Sequence, residues 1–243
     1  MTPTLVQLCL LLPGLLVGIF CLYFLIRLFD VAPLPVGLLL LVFVLGGTLA
    51  PLEVLALQSL YSGRHAPSLA CCPGFSPLWH LASLVLVVGL LEEASMLVVV
   101  RFTVYDSRAF VDPLQGVLLA GTTSLGFAVA ENARYLAGHP VSVLLERALI
   151  TTPVHLCLSA VWGLALGLQR VRPGPTQAGL ASLRGWGSVL QALGFAALLH
   201  GAFDAFLERN RFDLAGATIV VLAWLLVRHL RLCRSSGTHC RRP

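Results

Sequence analysis

Two adjacent carboxylic acids, Glu92 and Glu93, lie within an apolar segment that is long enough to cross a lipid bilayer. A charged side chain at the centre of a bilayer costs at least about 2.5–3.5 kcal/mol, so such residues are rare and usually functional. We expect both to face one polar pocket inside the membrane, together with polar residues of three later apolar segments. These residues are Glu131 with Asn132, then His155, then His200 with Asp204.

The chemistry that suits this set of side chains is metal-assisted hydrolysis of a peptide bond within the membrane. Two imidazoles with one or two carboxylates are a common ligand set for catalytic Zn²⁺, which keeps one position open for water. A further carboxylate then serves as general base. A divalent cation also offsets carboxylates that hydrocarbon would otherwise force to protonate. The H-E-x-x-H motif of soluble zinc proteases is absent, and the glutamates and histidines lie instead on separate predicted helices.

The adjacent glutamates Glu92 and Glu93 cannot face the same point equally well, because neighbouring residues of a helix point about 100° apart. One division places one carboxylate in the site and leaves the other to bond a neighbouring helix. The structural alternative is an ion pair with an arginine near a helix end.

A second acidic position lies on a helical stripe, because Phe127 and Glu131 are four residues apart. On that stripe Glu131 could ligate a metal or orient a ligand, and Asn132 could donate a hydrogen bond to a substrate. The structural alternative pairs Glu131 with Arg134 or with Arg147.

The histidines occupy two further segments. His155 follows Pro153, which frees a backbone carbonyl and can bend the helix at that depth. Taken alone, a histidine in a membrane helix is more often a hydrogen-bonded packing residue than a ligand. The spacing of His200 and Asp204 stacks an imidazole and a carboxylate on one face, either as two ligands or as a ligand with its orienting carboxylate. Gly201 leaves room for close approach of a neighbouring helix.

The depths of these residues disagree when each segment is centred on its apolar stretch. Glu92 and His155 then lie near the middle of the membrane, whereas Glu131, His200 and Asp204 lie nearer the outer face. The offset of His200 is two to three helical turns, roughly 10–15 Å. A tilted helix or a bent fifth helix would have to absorb it.

Composition indicates that membrane helices position these residues. The 243 residues are 58% hydrophobic and 11% charged, whereas soluble domains carry about 25% charged residues. A helix that crosses a bilayer needs about 20 mostly apolar residues. This rule predicts an all-α bundle of about seven transmembrane helices, at 5–27, 36–59, 79–101, 113–136, 142–168, 186–207 and 213–231.

The chain is predicted to form one integral membrane domain, 1–243, with a catalytic core at 79–207 and a basic cytoplasmic tail at 228–243. Arginines concentrate on the cytoplasmic side of membrane proteins. With the C-terminus inside, eleven arginines lie on that side and five on the other, which predicts an N-terminus outside. The first segment has no basic stretch before it, so we expect it to be retained rather than cleaved.

Composition also excludes several classes of function. All 16 lysine and arginine residues are arginines, which excludes lysine chemistry such as a retinal Schiff base. The arginines cluster at segment ends, as topology signals do, and give no support to nucleic-acid binding. The seven cysteines include no C-x-x-C pair, which excludes zinc-ribbon and thioredoxin-like sites.

Taken in order, these motifs resemble the PrsW family of intramembrane metalloproteases, which is distantly similar to the CAAX prenyl proteases. The resemblance runs from about residue 90 to residue 205, and its specificity lies in the ordered set rather than in any one motif. It is carried by Glu92-Glu93, Asp112 to Gly116, Gly126 to Ala128 with Glu131, Asn132 and Tyr135, Pro153 with His155, Gly163 to Gly167, and His200 with Asp204.

The resemblance implies roles for individual residues. Glu92 and Glu93 match the essential glutamate pair of the family. The other matching positions are Glu131 of a Phe-x-x-x-Glu-Asn motif, the family histidines His155 and His200, and the acidic or amide position Asp204. Family members cut a membrane-anchored anti-sigma factor on its extracytoplasmic side. The chain departs from the family at Met96, which stands where the Glu-Glu-x-x-Lys motif has lysine.

The leading hypothesis is a multi-pass intramembrane metalloprotease that uses Zn²⁺ and cleaves a single-span, anti-sigma-factor-like protein. Glu92 or Glu93 is the expected general base, and these roles could be exchanged with Glu131. The expected metal ligands are Glu131, His155, His200 and Asp204, and the expected substrate contacts are Phe127 and Asn132. The alternatives are a catalytically inactive relative, a protein that binds haem through the two histidines, and a proton-coupled membrane protein.

Overall fold

The computed structural model describes residues 3–65, 82–136, 140–171 and 178–235, which form helices and no strands. The predicted all-α class is therefore confirmed for this part of the chain. The helices are α1 (Pro3–Phe29), α2 (Val36–His65), α3 (π-helical at Leu84–Gly89, then α-helical at Leu90–Thr103), α4 (Pro113–Leu136), α5 (Val141–Glu146, π-helical at Arg147–Thr151, then Thr152–Val171), α6 (Ala178–Glu208) and α7 (Phe212–Ser235).

Five segments of the described helices are long and apolar enough to cross a membrane, which fits a multi-pass membrane protein. They are Leu11–Phe29, Val36–Ala56, Pro113–Leu136, Val141–Val171 and Gly185–Glu208. The predicted spans 79–101 and 213–231, in α3 and α7, are not among them, so a total of seven spans stays a prediction. Residues 79–81 of the expected core and 236–243 of the expected tail lie outside the described residues.

Helix α4 lies at the centre of the bundle. Every residue from Pro113 to Ala128 is buried, and α4 packs mainly against α2 and α5. Close contact with α5 depends on glycines, because a Cβ atom at Gly116 would overlap the carbonyl oxygen of Gly163. Small residues allow membrane helices to approach in this way. The contact brings the Glu131 helix beside the His155 helix.

Helices α3 and α6 approach closely through a second pair of glycines. A Cβ atom at Gly201 would lie 2.6 Å from the backbone nitrogen of Val85, and one at Gly89 would overlap the carbonyl oxygen of Ala197. The prediction that Gly201 leaves room for a neighbouring helix is therefore confirmed. This contact places the glutamate pair of α3 against His200 of α6.

Both α3 and α5 contain a π-helical turn shortly before the residues of interest. In α3 it spans Leu84–Gly89, and in α5 it spans Arg147–Thr151. Pro153 has no N–H group to donate to the preceding turn, which accounts for a distortion of α5 at this depth. Single π-helical turns inside α-helices are frequent at functional sites.

Candidate metal centre

Four helices bring acidic and imidazole side chains together in the interior of the bundle. Atoms of Glu92, His155 and His200 that could each bind a metal all lie within 4.8 Å of one another, and all three residues are buried. They come from α3, α5 and α6 respectively. Three potential ligands from three helices make this the candidate metal centre.

Glu93 is a hydrogen-bonded support for His200. Its Oε1 atom lies 3.1 Å from Nδ1 of His200, and its Oε2 atom accepts a hydrogen bond of 2.8 Å from Nε1 of Trp162. Glu93 is 0% exposed. Both of its carboxylate oxygens are therefore occupied by protein partners, which leaves Nε2 of His200 to face the centre.

Two other carboxylates flank that nitrogen. The Oε2 atom of Glu92 lies 3.6 Å from Nε2 of His200, and the Oδ2 atom of Asp204 lies 3.9 Å from it. The Asp204 side chain is 25% exposed, against 10% for Glu92. These distances exceed those of strong hydrogen bonds, so both carboxylates lie near the imidazole without being fixed to it.

Glu131 lies between two basic groups of α5. Its Oε2 atom is 2.6 Å from Nη2 of Arg147 and 3.1 Å from Nε2 of His155. The ion pair that the sequence raised as a structural alternative is present, and so is the contact with a candidate ligand. Arg134, the other arginine considered for this pair, is exposed.

The two predicted substrate contacts, Asn132 and Phe127, lie beside the centre. Asn132 is buried, and its Oδ1 atom accepts a hydrogen bond of 2.8 Å from Nε of Arg147. Phe127 is also buried, and its ring centroid lies 5.7 Å from that of His155. A contact between either residue and a substrate stays a prediction.

The expected mismatch in depth between His200, nearer the outer face, and Glu92 and His155, near the middle of the membrane, is wrong. His200 lies 3.1 Å from Glu93, and the ring centroids of His155 and His200 are 5.0 Å apart. Centring each apolar stretch assumes straight helices that cross the membrane at equal height. The glycine contact between α3 and α6 sets their relative height instead.

Two residues beside the centre, Trp162 and Arg147, are not among the site residues that the sequence predicts. Trp162 follows His155 by seven residues, which is two helical turns, and this same-face spacing is the signal that points to it. The sequence indicates that Arg147 is a topology signal or an ion-pair partner of Glu131, and the structure shows it buried inside α5. No pattern in the sequence distinguishes a buried arginine of this kind from a topology signal.

The charges around the centre suit a divalent cation. The carboxylates of Glu92, Glu93, Glu131 and Asp204 lie there, whereas Arg147 is the only buried arginine in the part of the chain that the structure describes. The Nδ1 atom of His155 is also buried and has no hydrogen-bond partner among the described residues. Excess carboxylates and an unpartnered imidazole nitrogen fit the donor set that Zn²⁺ prefers.

A protein-family model and several curated proteins are similar to this chain. The family model described as "PrsW family intramembrane metalloprotease" matches residues 34–229. The chain is 30% identical over 145 residues to "Protease PrsW" of Geobacillus kaustophilus, which covers 59% of this chain and 60% of the relative. It is 29% identical over 149 residues to "Protease PrsW" of Bacillus subtilis, which covers 60% of this chain and 65% of the relative.

The chain thus spans 60% and 65% of the lengths of these two curated relatives. No solved structure matches it. The family model covers the described parts of α3 to α6, which supply every residue of the centre. On this evidence the chain belongs to the PrsW family of intramembrane metalloproteases.

Proposed function

We propose that this chain is an intramembrane metal-dependent endopeptidase that cleaves a membrane-anchored protein. The observation that carries the proposal is the buried cluster of Glu92, His155 and His200, whose potential ligand atoms lie within 4.8 Å of one another. Membership of a family described as metalloproteases and the names of the curated relatives support it.

In this proposal two members of that cluster, His155 and His200, hold the metal together with Asp204, whose Oδ2 atom lies 3.9 Å from Nε2 of His200. We take the metal to be Zn²⁺, and we assign Glu92, the third member of the cluster, to proton transfer. His200 and Asp204 are four residues apart on α6, so the helix itself fixes their spacing. Zinc supplies Lewis-acid polarisation of a peptide carbonyl and activation of water. The chain supplies the buried surroundings, the orientation of the histidines and the groups that move the proton.

Glu92 is the proposed general base. Both oxygens of Glu93 already accept or share hydrogen bonds with Trp162 and His200, so Glu93 is suited to positioning His200. Glu92 lies beside the same imidazole at 3.6 Å and is not fixed by a comparable bond. Its carboxylate is therefore the member of the pair that can accept a proton from the attacking water and return it to the leaving amine.

The proposed substrate is a single-span membrane protein similar to an anti-sigma factor, cut near its extracytoplasmic end. The resemblance to the family suggests this substrate class, and the arginine distribution suggests an N-terminus outside and a cytoplasmic C-terminus. Met96, which replaces the lysine of the family motif, is 0% exposed and packs in the apolar core. The proposal therefore requires activity without a cation at that position.

A co-expression experiment tests the activity. A single-span reporter substrate is expressed with the wild-type chain and with Glu92→Ala, Glu93→Ala or His200→Ala, and the cleaved fragment is measured by immunoblotting. We expect cleavage with the wild type and none with these three variants, although all three insert into the membrane. Asp106→Asn is a matched control, because Asp106 pairs with Arg101 at the protein surface. Equal cleavage by all the variants would refute the assignment.

A further inference from the structure

Arg147 is a buried cation that contacts Glu131 and two residues close to it on the same helix. It is 8% exposed. Its Nη2 atom pairs with Oε2 of Glu131, its Nε atom donates to Oδ1 of Asn132, and its guanidinium carbon lies 3.9 Å from the ring centroid of Tyr135. A buried arginine is costly unless its partners are well placed. Helix α4 therefore holds the guanidinium group through one ion pair, one hydrogen bond and one cation–π contact, while Nη2 makes the ion pair without a hydrogen bond.

The same oxygen of Glu131 also faces His155. Oε2 lies 2.6 Å from Nη2 of Arg147 and 3.1 Å from Nε2 of His155. The contact with Glu131 therefore occupies Nε2 of His155. The other ring nitrogen, Nδ1, is buried and has no hydrogen-bond partner among the described residues, so it is the nitrogen that stays available.

The two histidines of the centre have matching supports. His200 contacts Glu93, which is held in turn by Trp162, and His155 contacts Glu131, which is held in turn by Arg147. A carboxylate behind an imidazole fixes the tautomer and the ring orientation of a metal ligand. The two supports differ in the residue that holds the carboxylate, because Arg147 carries a full positive charge and Trp162 is neutral.

We propose that Arg147 is a positioning residue, which holds Glu131 as the hydrogen-bond acceptor of His155 and so leaves a nitrogen of His155 for the metal. The inference rests on the proposed function. It assigns Glu131 to the support of a ligand rather than to the ligand set itself. Asn132, which also bonds Arg147, belongs to the same support.

Metal affinity of the purified, detergent-solubilised chain tests this role, with Co²⁺ and Zn²⁺ as probes. Loss of a residue that supports a ligand typically weakens metal binding by about 10–100-fold. We expect a loss of this size in Arg147→Met and partial recovery in Arg147→Lys, which restores the charge but not the planar group. Arg134→Met is the matched control, because Arg134 is exposed on the helix that carries Glu131, and it should bind as the wild type does.

A double substitution separates support from general stability. If Arg147 acts through Glu131, the double variant Arg147→Met with Glu131→Gln should bind no more weakly than Glu131→Gln alone. If the fold-losses in metal affinity of the two single variants multiply in the double variant, the inference is overturned. Unchanged or tighter binding in Arg147→Met would also overturn it, because a direct ligand freed from its arginine should bind better. Should Arg147→Met fail to fold, Arg147→Lys and Glu131→Gln allow the same comparison.

The failure of this inference differs from the failure of the proposed function. A wild-type chain that binds neither Co²⁺ nor Zn²⁺ contradicts the proposed function. A wild-type chain that binds metal, together with an Arg147→Met variant of equal affinity, contradicts only the role of Arg147.

Discussion

The Nδ1 atom of His200 lies 3.1 Å from Oε1 of Glu93, which precedes it by 107 positions in the chain. The contact joins α3 to α6 inside the bundle, where both side chains are buried. It also directs the opposite nitrogen of His200 toward Glu92 and Asp204. The proposed centre depends on this orientation.

Removing the outer support of Glu93 should weaken metal binding. Trp162→Phe keeps an aromatic ring but deletes the donor that bonds Oε2 of Glu93. A buried acceptor left without its donor lowers the free energy of unfolding by about 1–3 kcal/mol. Loss of a residue that holds a metal ligand in place weakens metal binding by about 10–100-fold. Zn²⁺ titration and thermal unfolding of the purified protein measure both effects. Wild-type affinity in this variant would show that the Trp162 bond does not support the centre.

Substitutions of Glu92 and Asp204 should have different effects on metal binding and on cleavage. Glu92→Gln should retain metal and lose about 10²–10⁴-fold in cleavage rate, as expected for loss of a general base. Asp204→Asn should lose metal together with cleavage. Metal analysis and a cleavage assay on each purified variant distinguish the two roles. The reverse pattern, with metal lost in Glu92→Gln and kept in Asp204→Asn, would exchange the ligand and base assignments.

Because α3 and α6 approach closely at Gly201, any side chain added at this position should destabilise the protein. Gly201→Ala places a Cβ atom 2.6 Å from the backbone of Val85, and overpacking of this kind typically costs about 1–3 kcal/mol. We expect a lower unfolding temperature and reduced metal affinity. Gly194→Ala is the matched control on the same helix, because nothing lies within 4 Å of its added Cβ atom. Equal effects of both substitutions would argue against a specific helix contact.

The arginine distribution predicts the orientation of the chain in the membrane. A reporter that is active only in the cytoplasm should be active when fused to the C-terminus, and one that is active only outside should be active at the N-terminus. The physical reason is the preference of arginine for cytoplasmic segment ends. Activity of the cytoplasmic reporter at both ends would require an even number of spans.

Much of the helical architecture could be predicted from hydropathy. The segments 36–59, 113–136 and 186–207 fall within α2, α4 and α6 as observed, because apolar length and flanking prolines are local properties. The π-helical turns at Leu84–Gly89 and Arg147–Thr151 were not foreseen. Their hydrogen bonds span one residue more than those of an α-helix, and apolar periodicity does not reveal such a small change.

The sequence predicts which residues form the site better than it predicts how their side chains are arranged. The members of the site stand out in the sequence because they are polar residues within apolar segments. A polar side chain inside a membrane costs free energy and is usually functional. This argument identifies Glu92, Glu93, Glu131, His155 and His200. Which oxygen or nitrogen faces which partner depends on helix rotation and height, and these follow from tertiary contacts such as Gly89 with Ala197. For that reason the support of Glu93 by Trp162 and of Glu131 by Arg147 became visible only in the folded chain.

The metal content of the purified protein tests the central claim most directly. The wild-type chain, isolated in detergent without added chelator, should contain about one zinc ion per molecule, as a catalytic site does. His200→Ala should contain far less while eluting as the same folded species in gel filtration. A wild-type chain without bound metal, or a His200→Ala variant with the full amount, would contradict the account.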